Sequence, residues 1–244
     1  MATPTLTPPG RSGLKGTLLN WLEARGYVLL NTRKLATRNT WLNHLAVSTV
    51  LDVGANTGES ALELHAMYPK AQVVSFEPLP DSFAAMQQRL AGHAWSHRHN
   101  LALAEKTGRM TMHRSAYALS SSLLPMSDAH KQAYPYSAGS QPVEVEISTL
   151  DAICAPLQGP FLIKLDVQGY EYGVLQGAAE TLTRTAALIV ETSFVELYEG
   201  QKLFNQVQAL LNRAGFAYTG SWAQRNSPVN GQPLQQDAVF VRQG

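Results

Sequence analysis

From residue 49 onward, short apolar runs alternate with segments of helical period. Thr49–Val53, Gln72–Phe76, Arg98–Leu103, Phe161–Leu165, Ala187–Glu191, Phe216–Thr219 and Ala238–Val241 have the length and apolar content of strands. Between them, Glu59–Met67, Asp81–Leu90, Tyr170–Thr181 and Leu203–Ala214 place apolar residues at helical spacing, and Pro69 closes off the first of these. Strands separated by helices need crossover connections. The pattern therefore predicts an α/β fold, with a mainly parallel sheet covered by helices on both faces. The link between the last two strands lacks a helical period, which predicts an antiparallel pair at the sheet edge.

Two regions depart from the alternation. Residues 1–13 are rich in Pro, Thr and Gly and read as a flexible arm. Leu14–Arg25 and Leu35–Leu45 carry helical spacing, so residues 14–48 are expected to form a helical cap ahead of a domain spanning 49–244. Within that domain, Arg109–Arg114 and Val143–Ser148 read as strands able to pair. They are joined by residues 115–142, an inserted loop without period. Loops of this length in compact domains are functional lids or disordered segments.

Composition narrows the function classes. Hydrophobic residues make up 45% and charged residues 15%, as expected of a folded chain. A formal net charge of +1 gives no reason to expect nucleic acid as a partner, and it sets no oligomeric state. The single Cys154 excludes an internal disulfide and a zinc site of paired cysteines. No apolar run approaches the ~20 residues of a membrane span. The first residues lack the apolar core of a secretory signal, so a cytoplasmic protein is expected.

Three motifs carry chemistry. In Leu51-Asp52-Val53-Gly54-Ala55-Asn56-Thr57-Gly58 a strand runs into a glycine-bearing turn and then a helix. Gly54 and Gly58 let the backbone turn sharply and approach a ligand closely. In Ser75-Phe76-Glu77-Pro78 an acid closes the second strand about twenty residues further on, where such folds hold a ribose, and Pro78 sets the direction of exit. In Ile163-Lys164-Leu165-Asp166-Val167-Gln168-Gly169-Tyr170-Glu171, Lys164 and Asp166 share one face at the C-terminal end of a buried strand. These motifs leave open an NAD-dependent oxidoreductase, against which the missing G-x-G-x-x-G weighs, and a non-catalytic nucleotide-binding protein. Among the remaining polar residues, Ser121 and Ser122 could hydrogen-bond a polyhydroxylated substrate, and Tyr134 and Tyr136 could stack on a sugar face or an aglycone. His93, His97 and His99 read as a solvated face rather than a metal site.

LDVGANTG, SFEP, IKLDVQGYE, VLQGA and IVE, taken together and in order, resemble the FkbM family of S-adenosylmethionine-dependent methyltransferases over about residues 49–200. The resemblance implies a Rossmann-like class I methyltransferase fold with a seven-stranded sheet, and methyl transfer to a hydroxyl of a sugar or natural-product small molecule. It implies that Asp52, Gly54, Asn56 and Gly58 surround the methionine part of the cofactor, that Glu77 and Pro78 lie at the ribose, and that Leu101 and Ala102 flank the adenine. An alcohol acceptor must lose its proton. The candidates for that work are Asp166, which also borders the cofactor, with Lys164, Glu171 and Glu191. His113 and His130 stand as substitutes. A divalent metal held by Asp166, Glu171 and Glu191 is possible but not favoured, because no dense carboxylate motif supports it.

Overall fold

The structure is a computed structural model, and it describes residues 40–244. The flexible arm and the first helix expected at the N-terminus lie outside these residues. Of the second helix only Thr40–His44 is described, as a 3-10 turn. Residues Asn43–Gly244 form one compact unit.

In chain order the unit begins with β1 (Thr49–Val53), α1 (Glu59–Met67), β2 (Gln72–Phe76), α2 (Pro80–Arg89), β3 (Ser96–His99), β4 (Ala102–Leu103) and β5 (Gly108–Ser115). After an excursion containing α3 (Asp128–Ala133) come β6 (Ser140–Ser148), α4 (Leu150–Cys154) and β7 (Phe161–Leu165). The chain then forms α5 (Glu171–Gln176), α6 (Ala179–Thr183), β8 (Thr185–Ser193), α7 (Phe204–Arg213), β9 (Phe216–Asn226) and β10 (Pro233–Arg242). Seven strands build the main sheet in the order β3-β2-β1-β7-β8-β10-β9. The first five are parallel, while β10 runs antiparallel to both β8 and β9, so the expected antiparallel pair sits at the edge. β4, β6 and β5 form a separate small sheet.

The apolar runs end where the sheet demands it. Every residue of β1 is buried, as is all of β7 except Lys164, because helices cover both faces of these central strands. Leu51, Val53, Phe76, Ile163, Leu165, Leu188 and Val190 belong to one core cluster with Leu150, Val174, Leu182, Val207 and Leu211 from the helices. This fixes which end of each strand carries the polar groups. Val53, Phe76, Leu165 and Val190 are in register; β1, β2 and β7 end there and lead into turns, while β8 runs on to Ser193 beside β10. Between β1 and β7 the strand order switches direction. In such sheets the ligand crevice lies at that point.

Two expected elements are corrected. Arg98–Leu103 is not one strand. It breaks after His99, where the Asn100 side chain donates to the carbonyls of Glu77 (2.8 Å) and Pro78 (3.0 Å) and turns the chain away; Ala102 then pairs in the small sheet. The helix expected over Tyr170–Thr181 is two short helices divided at Gly177. A Cβ there would lie 2.2 Å from the Ala104 carbonyl oxygen, so the small sheet presses on the helix at the one residue that has no side chain. Residues 115–142 carry no period, and their structure comes from local caps. A 3-10 turn covers Ala118–Ser120, α3 is capped by the Ser127 side chain, and a second 3-10 turn covers Pro135–Ser137.

Among the described glycines, the tightest backbone approach joins the first turn to the residue that follows β7. Gly54 has φ 84°, and a Cβ on it would stand 1.9 Å from the Asp166 carbonyl oxygen. Gly54→Ala should therefore lower the unfolding free energy by about 3 kcal/mol or more, combining left-handed strain with overpacking. Gly92 has a similar φ of 78° but open space around it, so Gly92→Ala should lose only about 1 kcal/mol. Urea titrations of the two variants check this; equal losses would refute the close-approach account.

Candidate active site

A cavity of about 300 Å³ opens at the C-terminal edge of β1, β2, β7 and β8. One wall is the turn after β1. Gly54, Asn56 and Gly58 all hold positive φ, at 84°, 46° and 83°, so the turn is wound left-handed three times in five residues. Asn56 tolerates this conformation better than most side chains. Its backbone N–H donates to Glu77 Oε2 at 3.0 Å, and the Leu79 N–H donates to Oε1 at 2.8 Å. Glu77 is thus fixed by the backbone on both oxygens while lining the cavity. Burial pushes its carboxyl up to about 7, even though the two N–H groups pull it down. Pro78, Leu79, Ala102 and Leu103 make the adjacent apolar wall.

Asp52 stands behind this wall, fully buried. Its Oδ2 accepts from Ser60 Oγ at 2.7 Å, and Oδ1 has no hydrogen-bond partner. Burial raises its pKa, against the opposing charge of Lys164. Neither Asp52, Gly58 nor Leu101 lines the cavity, whereas Gly54, Asn56, Glu77, Pro78 and Ala102 do.

The opposite wall is a polar network at the ends of β7 and β8. Asp166 Oδ2 faces Lys164 Nζ at 3.3 Å, and Oδ1 accepts from Gln168 Nε2 at 2.7 Å. Desolvation works to raise the Asp166 pKa. Lys164, Gln168 and Arg225 together outweigh it and hold this carboxyl below the usual range. Glu191 is almost wholly buried. It accepts from Gln168 Nε2 and from Gln235 Nε2, each at 2.9 Å, and pairs with Arg225, which also lies 3.8 Å from Asp237. Burial and the nearby charge of Asp166 push Glu191 well above the ordinary carboxyl range.

The remaining acid, Glu171, does not face the cavity. Its Oε1 accepts from the N–H groups of Val167 (3.0 Å) and Gly169 (3.1 Å), and burial raises its pKa to about 7. It serves the turn after β7 as a cap. Lys164 also sits behind the lining, reaching the cavity only through Asp166. Among the described residues no group of three or more His, Cys, Asp or Glu is placed to hold a metal ion.

Residues 115–142 supply the outer wall. Tyr117, Ser120, Ser121, His130, Tyr134 and Tyr136 line it. Tyr136 meets Tyr117 and Tyr134 edge to face, at 5.4 and 6.2 Å between ring centres. Ser122 does not line the cavity. It ties the segment to β7, donating to the Gln168 carbonyl at 2.6 Å. His130 is buried, its Nε2 3.0 Å from Ser137 Oγ, and burial lowers its pKa.

Gln168, Arg225 and Gln235 were not singled out by the sequence. Gln168 stands inside a recognised motif but carries no charge to draw notice. Arg225 and Gln235 come from the edge strands, far along the chain from the motifs, and only the pairing of β10 with β8 brings them in.

The methyltransferase FkbM domain matches this chain over residues 52–218. Among curated proteins, the chain is similar to the 2-O-methyltransferase NoeI of Sinorhizobium fredii, at 33% identity over 171 residues, covering 66% of this chain and 70% of the relative. It is also similar to Methyltransferase 1 of Beauveria bassiana, at 25% identity over 184 residues, covering 70% and 72% of the two chains. Among solved structures, the N-terminal domain of EvdMO1 in the presence of SAH and D-fucose aligns at 11% identity over 85% of this chain and 81% of that one, with a TM-score of 0.49, a likeness too loose to assign anything. The family match spans the glycine turn, the Glu77 strand end and the Lys164–Asp166 strand, and it sets aside the nicotinamide alternative: the chain belongs to the FkbM family of methyltransferases.

Proposed function

We propose that this protein is an S-adenosylmethionine-dependent O-methyltransferase acting on a hydroxyl of a sugar or natural-product small molecule. The observation that carries the reading is one cavity bounded on one side by Glu77 and the Gly54–Asn56 turn and on the other by Asp166. The 2-O-methyltransferase name of the Sinorhizobium fredii relative supports oxygen as the acceptor atom.

The residues present fit the cofactor. Glu77 is oriented by two backbone N–H groups, and each of its oxygens keeps a lone pair for a ribose hydroxyl. Gly54, without a side chain, leaves the turn open toward the cavity. Ala102, Leu103, Pro78 and Leu79 offer the apolar flank that a purine needs. Asp52 braces the turn from behind through Ser60, and its Oδ1 is buried without a partner.

When bound, the cofactor supplies a methyl group made electrophilic by its sulfonium. The chain's own contribution is alignment and proton removal. Asp166 is ionised across the neutral range because Lys164 and Gln168 hold it so. It accepts a hydrogen bond from the acceptor hydroxyl and takes the proton at a carboxylate oxygen as the new bond to carbon forms. A weak base is sufficient here, because a hydroxyl becomes strongly acidic as its oxygen is alkylated. Glu191 is the stronger base, yet two donors, Gln168 and Gln235, fill its Oε2 and Arg225 holds its Oε1, whereas each Asp166 oxygen has a single donor and keeps a lone pair; Glu191 therefore positions rather than accepts. Tyr117, Tyr134 and Tyr136 present ring faces and edges at the mouth, suited to the apolar face of a sugar or to an aglycone. Among the described residues no helix is long and apolar enough to cross a membrane.

Cofactor binding should carry a pH signature at Glu77. Burial pushes its carboxyl up to about 7 in the free protein, and the two ribose hydroxyls can donate to both of its oxygens only when it is ionised. Binding must therefore expel a proton where Glu77 is still protonated, and affinity for S-adenosylhomocysteine should rise between about pH 6 and about pH 8. Calorimetry in buffers of different ionisation enthalpy measures that proton. Glu77→Gln should remove the pH dependence and weaken binding about tenfold or more. A pH-independent wild-type affinity would count against Glu77 as the ribose partner.

Asp166→Asn keeps the shape of the side chain and removes the basic oxygen. Methyl transfer to a panel of p-nitrophenyl glycosides, read by mass as one added methylene, should fall on the order of 10²-fold, with S-adenosylhomocysteine affinity nearly unchanged. Full turnover in this variant would exclude Asp166 as the proton acceptor.

A further inference from the structure

We infer that Gln168 is a positioning residue for methyl transfer, a spacer that holds the Asp166 and Glu191 carboxylates apart and sets the direction of the Asp166 oxygens. The inference deepens the functional reading above and rests on Asp166 being the proton acceptor.

Four observations on separate atoms support it. First, Gln168 holds φ 55°, a left-handed conformation that costs a side chain bearing a Cβ, and Gly169 continues it at φ 98°. Backbone strain of this kind persists only where the surroundings over-determine it. Second, the conformation throws the carboxamide back across the end of β7. Nε2 then reaches Asp166 Oδ1 at 2.7 Å and Glu191 Oε2 at 2.9 Å. An amide nitrogen has two hydrogens, and each serves one carboxylate.

Third, the amide cannot flip. Oε1 accepts from the Tyr198 hydroxyl at 2.9 Å, and that tyrosine is wholly buried. A flip would point Oε1 at oxygens of both Asp166 and Glu191, at 2.7 and 2.9 Å, and strip each of its donor. Fourth, the Gln168 carbonyl accepts from Ser122 Oγ at 2.6 Å, so the segment carrying Ser121, Tyr134 and Tyr136 is anchored on the same residue. One side chain and its own backbone thus connect the proton acceptor to the outer wall.

The spacer is needed because the acids are crowded. Facing Asp166 from the neighbouring elements are Asp52 on β1, Lys164 on β7, Glu171 on α5, Glu191 on β8, Arg225 on β9 and Asp237 on β10. Two cations meet five acids. Without a donor between them, the adjacent carboxyls of Asp166 and Glu191 relieve their repulsion by sharing a proton, as paired acids do. A shared proton would occupy the oxygen that must accept the hydrogen bond from the acceptor. A donor that is neutral and cannot lose its proton keeps both oxygens in the accepting state. A lysine could not lie flat between two carboxylates, and a third acid would worsen the crowding.

The test replaces the donor and reads the carboxyls directly. Gln168→Met keeps length and removes both donors. Gln168→Asn keeps the amide and favours left-handed backbone, but is one methylene too short to span both acids, so it covers the case in which the methionine variant fails to fold. In the full-length protein, a carbon NMR titration of the side-chain carboxyls should show Asp166 titrating higher than in the wild type by about one pH unit or more in either variant. The acid limb of the methyl-transfer profile on p-nitrophenyl glycosides should move upward with it, with kcat falling more than KM rises. A titration of Asp166 that stays in place in both variants overturns the proposal. A titration that moves while transfer is untouched overturns Asp166 as the proton acceptor, and the proposal falls with that reading. The two failures are distinguished by which measurement stays still.

Discussion

The site depends on one contact between backbones. Gly54 lies so close to the Asp166 carbonyl that no other residue fits, and the Asp166 N–H donates to the Val53 carbonyl at 3.0 Å. The turn proposed to face the cofactor and the strand end proposed to face the acceptor are therefore held at a fixed separation by the sheet itself. Alignment of two reactants is the largest part of what a methyl-transfer site must provide, and here it is set by packed central strands rather than by mobile loops. The buried runs of β1 and β7 serve function in this sense. They make the register between Val53 and Leu165 rigid, and the register makes the site.

The cost of this compactness is electrostatic. Asp52, Glu77, Glu171 and Glu191 are all buried at the strand ends, and burial raises the pKa of each. They are tolerated by different means. Glu77 and Glu171 are bound by backbone N–H groups, Asp52 by Ser60, and Glu191 by Arg225 and two glutamines. Asp166 alone is held below the ordinary range, and it is the acid with Lys164 beside it on its own strand. Neutral amides from Gln168 and Gln235 add donors without adding charge, so the crowded acids gain hydrogen-bond partners without a further buried cation.

How much of this was legible in the sequence follows from where each group comes. β1, β2 and β7 were readable because buried parallel strands are continuous apolar runs, and their ends are marked by Gly54, Pro78 and Asp166. The break at Asn100 and the division at Gly177 were not, because both answer to the small sheet, whose position is a tertiary fact. Glu77 was legible as a site residue from its distance to the glycine turn. The same logic could place Glu171 and Lys164 near the site, but only side-chain direction shows that one caps a turn and the other works through Asp166. Arg225 and Gln235 were beyond reach for a simpler reason. Nothing local marks them, and they join the site through a strand that reverses direction.

The same reasoning explains why the outer wall is built from a segment without period. A strand or helix at that place would present side chains on a fixed repeat, whereas residues 115–142 are held at points. Ser122 binds the Gln168 carbonyl, Tyr198 reaches the Ser120 carbonyl, Ser127 donates to the Glu196 carbonyl, and Met126 forms a bridge with Tyr198. Each tie ends on the turns after β7 or β8, and the turn after β7 also carries Asp166, the proposed proton acceptor. Between ties, Tyr117 and Tyr136 remain exposed at the mouth. Such a wall can change its residues, and so its acceptor, without disturbing the register of β1 and β7. The proposed chemistry thus lies on the rigid strands, and the proposed acceptor contacts lie on a segment pinned to them.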